Sequence, residues 1–339
     1  MAASSVVEDL SSLQLLAGSD ASRLATLASM LTAVDEPDGA VLARQGEAAS
    51  SFLLVVSGEA AVSRDDGSGQ HGVGTIAPGS IVGELSVLRG APRSATVVAN
   101  GRLTGYIGDA RTFTALLEVP GVAERIGRTA RQRLAANTRP VAVTLRDGAP
   151  VLVRPVLPSD HGKLADTQPG FSRESHFRRF FSAPPLSEKV IRYLIDVDYC
   201  DHFAWVVLAA GEPDEPGVAS ARYIREREAP DTAEVAFSVV DDYQGRGLGS
   251  FLLGALAVAA AENDIHRFRA RVLAENEPMR AILRRAGAKF EFAEPGVLET
   301  VVDVPAFGDG LPDIATAEAL RDAARDIVVA ADLALGTAG

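Results

Sequence analysis

The sequence predicts two domains, an N-terminal β jelly-roll or barrel with helices and a C-terminal α/β domain. Three observations carry that expectation. A chain of 339 residues is long enough for about two domains, each with its own core. Between 40 and 62 the runs Val41-Leu42-Ala43 and Phe52-Leu53-Leu54-Val55-Val56 are short, β-rich and punctuated by Gly46 and Gly58, as in a small antiparallel roll. Beyond residue 140 apolar strands alternate with helical periodicity, and a glycine-rich loop stands between one such strand and the next helix.

After Thr96-Val97-Val98-Ala99 the period changes. Ala110 to Leu117 and Val122 to Leu134 read as helices separated by Pro120-Gly121, the second extending to Asn137 as a basic hinge. Pro140 closes it, and Val141 to Leu145 with Val151 to Pro155 forms a hairpin through Asp147-Gly148. The expected boundaries are therefore 1–140 for the first domain, 141–312 for the second and 313–339 for a tail, a candidate regulatory element. Helical signals follow Ser159-Asp160. Strands are expected at Phe203 to Ala210, Val218 to Ile224, Ala233 to Val240 and Arg267 to Val272, with helices from Gly247 to Glu262 and Asn276 to Ala286. Thr316 to Leu335 is an Ala-rich amphipathic helix, with Thr316 as its expected N-cap.

Composition narrows the class. The formal charge of −12 is opposite to that of a nucleic-acid or anionic-membrane binder, so neither partner is expected, and partners with lysine-bearing surfaces fit better. Cys200 is the single cysteine, which excludes an intrachain disulfide, and no metal-binding set stands out. The start Met-Ala-Ala-Ser-Ser lacks a basic region before an apolar run, and no apolar stretch approaches the roughly 20 residues of a spanning helix. A soluble, cytoplasmic protein is expected.

Two stretches carry phosphate-binding chemistry. The first runs from Gly83-Glu84-Leu85-Ser86 to Pro92-Arg93-Ser94-Ala95-Thr96. Gly83 permits close backbone approach at the start of a short helix whose N–H groups face an anion, and Arg93 can grip a phosphate bidentately. A 3′,5′-cyclic phosphate leaves the ribose 2′-hydroxyl free as a donor, and Glu84 is the acceptor placed for it. The stretch resembles the phosphate-binding cassette of cyclic-nucleotide-binding domains, over roughly residues 10–137. The resemblance implies cAMP, favoured over cGMP, with Gly83, Glu84, Leu85, Ser86, Arg93 and Ser94 as its binding residues. Arg131, Gln132 and Arg133 of the following helix are candidate base contacts.

The second stretch, Gln244-Gly245-Arg246-Gly247-Leu248-Gly249, lies between an expected strand and helix, where successive N–H groups and the helix dipole meet a pyrophosphate. No strand ends directly at its first glycine and no acidic residue closes a second strand about 20 residues on, so a dinucleotide fingerprint does not fit. With Ala233 to Val240 before it and Asn276 to Gly287 after it, the order resembles the GNAT acetyltransferase superfamily. That resemblance implies acetyl-CoA as cosubstrate. Phe237, Ser238 and Val239 would hold its acetyl and pantetheine portion, Gln244 to Ser250 (Gln244, Gly245, Arg246, Gly247, Leu248, Gly249, Ser250) its pyrophosphate, with Asn276 and Arg285 assisting. Glu234 stands where many protein acetyltransferases of the superfamily carry a general base. The common tyrosine acid is missing, since Leu283 occupies its place.

The segment Ser172-Arg-Glu-Ser-His-Phe-Arg-Arg-Phe-Phe181 is similar to a stretch of bacterial protein lysine acetyltransferases that act on acyl-CoA synthetases. As a whole the chain resembles the mycobacterial cAMP-dependent protein lysine acetyltransferases, which implies protein substrates with an accessible lysine, acyl-CoA synthetases among them. His176 is a candidate autoinhibitory residue that reaches Glu234 when this segment folds over the site. The competing readings are a nucleotide-gated GNAT acting on a small-molecule amine, a nucleotide-sensing transcription factor, for which no helix-turn-helix is seen, and a CoA-binding sensor without activity.

Overall fold

The computed structural model describes residues 3–65, 67, 69–182 and 184–335. It divides into two compact units, the first holding the chain up to Ala130 with the segment from Ala331, the second Arg131–Ala330.

The first unit begins with α1 (Ala3–Ser12) and α2 (Ala21–Met30). Asp20 caps α2 by accepting from the Arg23 N–H at 3.0 Å. Then come β1 (Thr32–Glu36), β2 (Val41–Ala43), β3 (Ser51–Asp65), β4 (Gln70–Ile76), β5 (Ile81–Val82), α3 (Glu84–Arg89), β6 (Thr96–Asp109), α4 (Ala110–Leu117) and α5 (Val122–Asn137). The strands form one antiparallel sheet in the order β1-β6-β3-β4, with β2 on β6 and β5 on β3, which is the expected β-rich roll. The long pair β3 and β6 shifts register on both sides of Ser57. Gly58 makes that shift possible: its φ is +80°, and a Cβ there would overlap the Arg102 carbonyl oxygen. Leu10, Leu24, Phe52, Leu54, Tyr106 and Phe113 fill the core beneath α1, α2 and α4, with Phe52 edge-on to Phe113 at 5.2 Å. Helix α5 serves both units. Val122 and Ile126 belong to this core, while Ala135 belongs to the core of the second unit, so the first unit ends ahead of Pro140, where the strand pattern of the second begins.

The second unit contains β7 (Val141–Thr144), β8 (Pro150–Pro155), α6 (His161–Thr167), α7 (Arg173–Phe180), α8 (Glu188–Ile195), β9 (His202–Ala209), β10 (Gly217–Arg225), β11 (Thr232–Val239), α9 (Leu248–Ala261), β12 (Arg267–Leu273), α10 (Glu277–Arg285), β13 (Glu291–Glu294), β14 (Val297–Asp303) and, as far as Ala330, α11 (Ile314–Leu335). Its sheet runs β13-β14-β12-β11-β10-β9-β8-β7, with β11–β12 the parallel neighbours. Helix α9 is apolar on every side because it is buried on every side, and Trp205 donates from Nε1 to its Ala255 carbonyl at 2.9 Å. The tail helix packs on the same core: Leu320, Ala324 and Ile327 are fully buried in it. Its cap departs from expectation. Thr316 lies inside the first turn, and Asp313 caps the helix by accepting from the Thr316 N–H at 2.7 Å; a carboxylate one turn earlier reaches that donor, whereas the threonine is already helical. Among the described residues no helix is long and apolar enough to cross a membrane.

Candidate functional site

In the first unit, β5 delivers the chain to Gly83, whose φ of +84° starts α3. A Cβ here would overlap the Arg93 guanidinium and stand 3.2 Å from the Ser51 carbonyl, so glycine is required for the arginine to lie across this turn. Arg93 donates from Nη2 to the Ser51 carbonyl at 2.7 Å and from Nη1 to the Gly83 carbonyl at 3.4 Å. Burial pushes its pKa down, against the opposing charges of Glu84 and Glu47. Glu84 is buried and Ser86 nearly so, its hydroxyl directed to the Pro92 carbonyl at 3.4 Å. A solvated surface ion pair would leave Glu84 exposed, and it is 1% exposed. Ser94 is exposed, and its carbonyl accepts from Arg64 Nε at 3.1 Å. Leu85 lies in α3, but its side chain is outside the described residues. Of the candidate base contacts, Arg131 donates from Nε to the Asp198 carbonyl at 2.7 Å and Gln132 from Nε2 to the Val197 carbonyl at 3.2 Å, both inside the second unit.

In the second unit a fork in the sheet makes the site. Strands β11 and β12 pair only from Thr232↔Arg267 to Glu234↔Arg269. Beyond Glu234 they part, while β11 stays paired to β10 as far as Val239. The β12-facing backbone of residues 235–239 is thereby released from the ladder and is open to an extended ligand. Glu234 is exposed at the crotch of the fork, at the rim of a cleft of about 1000 Å³. Phe237, Ser238, Val239, Gln244, Gly245, Gly247, Leu248, Gly249, Ser250, Asn276 and Arg285 all line this cleft. Arg246 does not. Its guanidinium is drawn to Asp147 at 3.2 Å and the Asp242 carbonyl at 2.7 Å, and it lies over the Tyr243 ring.

The glycines of the loop have different reasons. Gly245 and Gly247 hold φ of +77° and +93°, which exposes successive N–H groups at the start of α9. Gly249 is needed for packing, since a Cβ would sit 2.5 Å from Ile282 Cδ1 of α10. Asn276 caps α10 by accepting from the Met279 N–H at 3.2 Å. Leu283 is fully buried and does not line the cleft.

Helix α7 forms one wall of the cleft through Ser175, Arg178, Arg179 and Phe180. Ser172 caps it, and the Ser172 N–H donates to Asp241 at 3.1 Å, while Gln244 Nε2 donates to Ser175 Oγ at 3.1 Å. His176 is buried: its Nδ1 lies 3.0 Å from the Ser182 carbonyl and its ring packs on Phe180 one turn on. Among the described residues no hydrogen bond joins it to Glu234. The cation that feels Glu234 is Arg179, which desolvation holds down at about 10 against the attraction of that carboxylate.

Comparison with known proteins agrees with both halves. The cyclic nucleotide-binding domain family matches residues 36–119 and the acetyltransferase (GNAT) domain family residues 151–289. The chain is 43% identical to acetyltransferase Pat of Mycolicibacterium smegmatis over 94% of its own length and 96% of that protein. The chain belongs to the family of cAMP-binding acetyltransferases. It is a GNAT acyltransferase under cAMP control, with cAMP the ligand of the first domain and acetyl-CoA the cosubstrate of the second. A solved variant of the cAMP-binding acyltransferase from Mycobacterium smegmatis matches it with a TM-score of 0.50 at 39% identity, over 97% of this chain and 98% of that one. A cAMP-dependent protein kinase regulatory subunit of Mucor circinelloides is 40% identical over 91 residues, 27% of this chain and 21% of that protein.

In this acetyltransferase the sequence reading missed Arg222, Arg146, Tyr193 and Arg271, which also line the cleft. Arg222 carried a signal: an arginine inside the apolar run Val218 to Ile224 is costly unless something uses it.

Proposed function

We propose that the enzyme transfers acetyl from acetyl-CoA to lysine side chains of protein substrates, acyl-CoA synthetases among them, with Glu234 as general base. A lysine side chain has a pKa near 10.4 and is almost wholly protonated at neutral pH, so attack on the thioester needs a proton acceptor beside it. The carrying observation is the position of Glu234 at the fork between β11 and β12, in one cleft with Phe237 to Val239 and the Gly245 to Ser250 loop. The amine attacks the carbonyl carbon held along β11, Glu234 takes its proton directly or through water, and the C–S bond breaks. The departing thiolate belongs to a thiol of pKa roughly 8 to 9, which removes the need for a strong acid and suits a chain with Leu283 in place of the superfamily's common tyrosine.

In the first domain, Glu84 accepts the ribose 2′-hydroxyl, Arg93 takes the cyclic phosphate with the N–H groups after Gly83, and Leu85, Ser86 and Ser94 complete the cassette. Nucleotide binding acts on α7 and its His176, or on the tail from residue 313. The protein works in the cytoplasm, a reading supported by its one cysteine. The test is to incubate the purified chain with acetyl-CoA and an acyl-CoA synthetase, with and without cAMP, and to map acetyl-lysine by mass spectrometry. Acetylation confined to a small amine such as a polyamine would overturn the protein-substrate assignment.

A further inference from the structure

The acceptor side of the cleft holds more positive charge than the acetyl-transfer reaction uses. Arg222 lies on β10 opposite Ala236, on the face shared with Ser220, Ser238 and Glu234. It is 4% exposed. Its Nη1 donates to two neutral acceptors, the Leu194 carbonyl at 2.7 Å and His202 Nε2 at 3.0 Å, and its Nε is buried with no partner. Arg179 of α7 lies over the Phe180 ring and makes no hydrogen bond or ion pair among the described residues. Desolvation first, and then the charge of Arg179, holds Arg222 down at about 9.

A buried cation without an anion, as Arg222 is, is expensive, and the like charge of the half-buried Arg179 adds to the cost. The carboxylates nearby do not offset them. Asp160 is taken up by Arg154 through two bonds of 2.7 and 2.6 Å. Glu234 attracts Arg179 without an ion pair, and in the reaction it must be free to take a proton. Lys163, the remaining cation at this end, is held by the carbonyls of Asp214 and Glu215.

The two arginines stand at the junction between the main cleft and a small cavity of about 50 Å³ whose walls include Leu164, Phe171, Phe180 and Leu194. Phe171, Arg179, Leu194, Arg222 and Ser238 line both spaces. The cavity is too small for a peptide segment. It opens beside Phe237 to Val239, where the thioester lies in the function proposed above, and Arg222 is one same-face position from Ser238 along the sheet, a step of roughly 7 Å. A carboxylate carried on a short methylene chain from that thioester reaches the arginine pair.

We propose that Arg179 and Arg222 form a subsite for the carboxylate of a dicarboxylic acyl group, and that the enzyme also transfers such groups, of the malonyl, succinyl or glutaryl kind, from CoA to lysine. The step is the same as acetyl transfer. The lysine nitrogen bonds to the thioester carbonyl carbon, the C–S bond breaks, and the proton from nitrogen passes through Glu234 to the CoA thiolate. The distal carboxylate stays ionised and unreacted between the two guanidiniums.

The inference rests on the acyl-transfer reading, and the experiment separates the two. The full chain with cAMP is given one acceptor protein and acetyl-, butyryl- or succinyl-CoA, and kcat/KM is measured for each. Succinyl transfer faster than butyryl transfer is expected, and Arg222→Gln or Arg179→Gln should lower the succinyl-to-acetyl ratio by roughly 10-fold or more, the size of a lost charge-assisted hydrogen bond. The ratio is unaffected by partial misfolding. Should Arg222→Gln fail to fold, Arg179→Gln on the partly exposed helix reads the same quantity, as does the loss of extra succinyl-CoA affinity over acetyl-CoA in calorimetry. Absence of acetyl transfer in the wild type would defeat the function proposed above. Acetyl transfer with succinyl transfer no faster than butyryl would defeat only the subsite. The subsite is also overturned if the substitutions leave the succinyl ratio intact but abolish a preference, at fixed acetyl-CoA, for lysine peptides flanked by Glu over Gln, because the carboxylate is then the acceptor's.

Discussion

His202 sets a pH limit on the stability of the acetyltransferase unit. It is 7% exposed, accepts at Nε2 from Arg222 and stacks on Tyr193 at 5.4 Å. Burial, and then the charge of Arg222, lowers its pKa from 6.5 to about 4, against smaller opposing effects of Asp198 and Asp196. The folded form therefore keeps the ring neutral where the unfolded chain protonates it. Between these values the unfolded state binds the extra proton, so stability falls as pH drops below 6.5 and stops falling, for this group, below about 4. The shift is worth about 3 kcal/mol at pH 4 and about 2 kcal/mol at pH 5. The chain's one tryptophan makes the assay selective: Trp205 is fully buried in the second unit, so its fluorescence during urea unfolding follows that unit. His202→Gln keeps an acceptor for Arg222 and does not titrate. Wild type should lose about 3 kcal/mol more than the variant between pH 7 and pH 4. Parallel pH profiles for the two proteins would refute the assignment of a neutral, Arg222-bound imidazole.

Other perturbations probe the two sites and the tail. Arg93→Lys replaces a planar fork that bonds Ser51 with a point charge, and cAMP affinity measured by calorimetry should fall about 10-fold or more. Glu234→Gln should lower turnover on a protein substrate by roughly 10²–10⁴-fold while acetyl-CoA binding persists; near-normal turnover at pH 7 would remove Glu234 from the chemistry. Leu320→Ala opens a void in the second core and should destabilise the Trp205-reported transition by about 2–5 kcal/mol. His176→Ala takes away the ring that closes the end of α7 on Ser182, and basal activity should rise while the cAMP activation ratio shrinks; wild-type values for both would locate the switch elsewhere.

What could be read from the sequence was whatever backbone conformation imposes locally. Gly58, Gly83, Gly245 and Gly247 all have positive φ, so a glycine at each is required by its own turn, and the turns are where the ligands are expected. The strand before the loop and the helix after it were equally legible from periodicity, as was the hairpin through Asp147-Gly148. Long-range placement was not legible. Arg179 and Arg222 lie far apart in sequence and line the same cavities because α7 packs on β11, the neighbour of β10. Nothing local marks Gly249 as a packing glycine, since its neighbour Ile282 belongs to another helix. Arg131 and Gln132 sit on a helix that looked free to cover a base, and they are spent on the carbonyls of Asp198 and Val197. Asp313 lost the cap to Thr316 in the sequence reading because the helix starts earlier than its apolar pattern.

The parts with separate signals turn out to be joined. The glycine-rich loop begins at Gln244, just after Asp241, and these same two residues hold the first turn of α7 through Ser172 and Ser175. Gln244 also bonds the Val239 carbonyl at the end of β11. Burial raises the Asp241 pKa, but the hydrogen bonds from Ser175 and Ser172 outweigh it and keep the carboxyl below its ordinary value. The anchor is thus ionised and intact at neutral pH and weakens only in acid. The glycine-rich loop and α7, which carries Arg179 and His176, are thus tied to each other by hydrogen bonds at both serines.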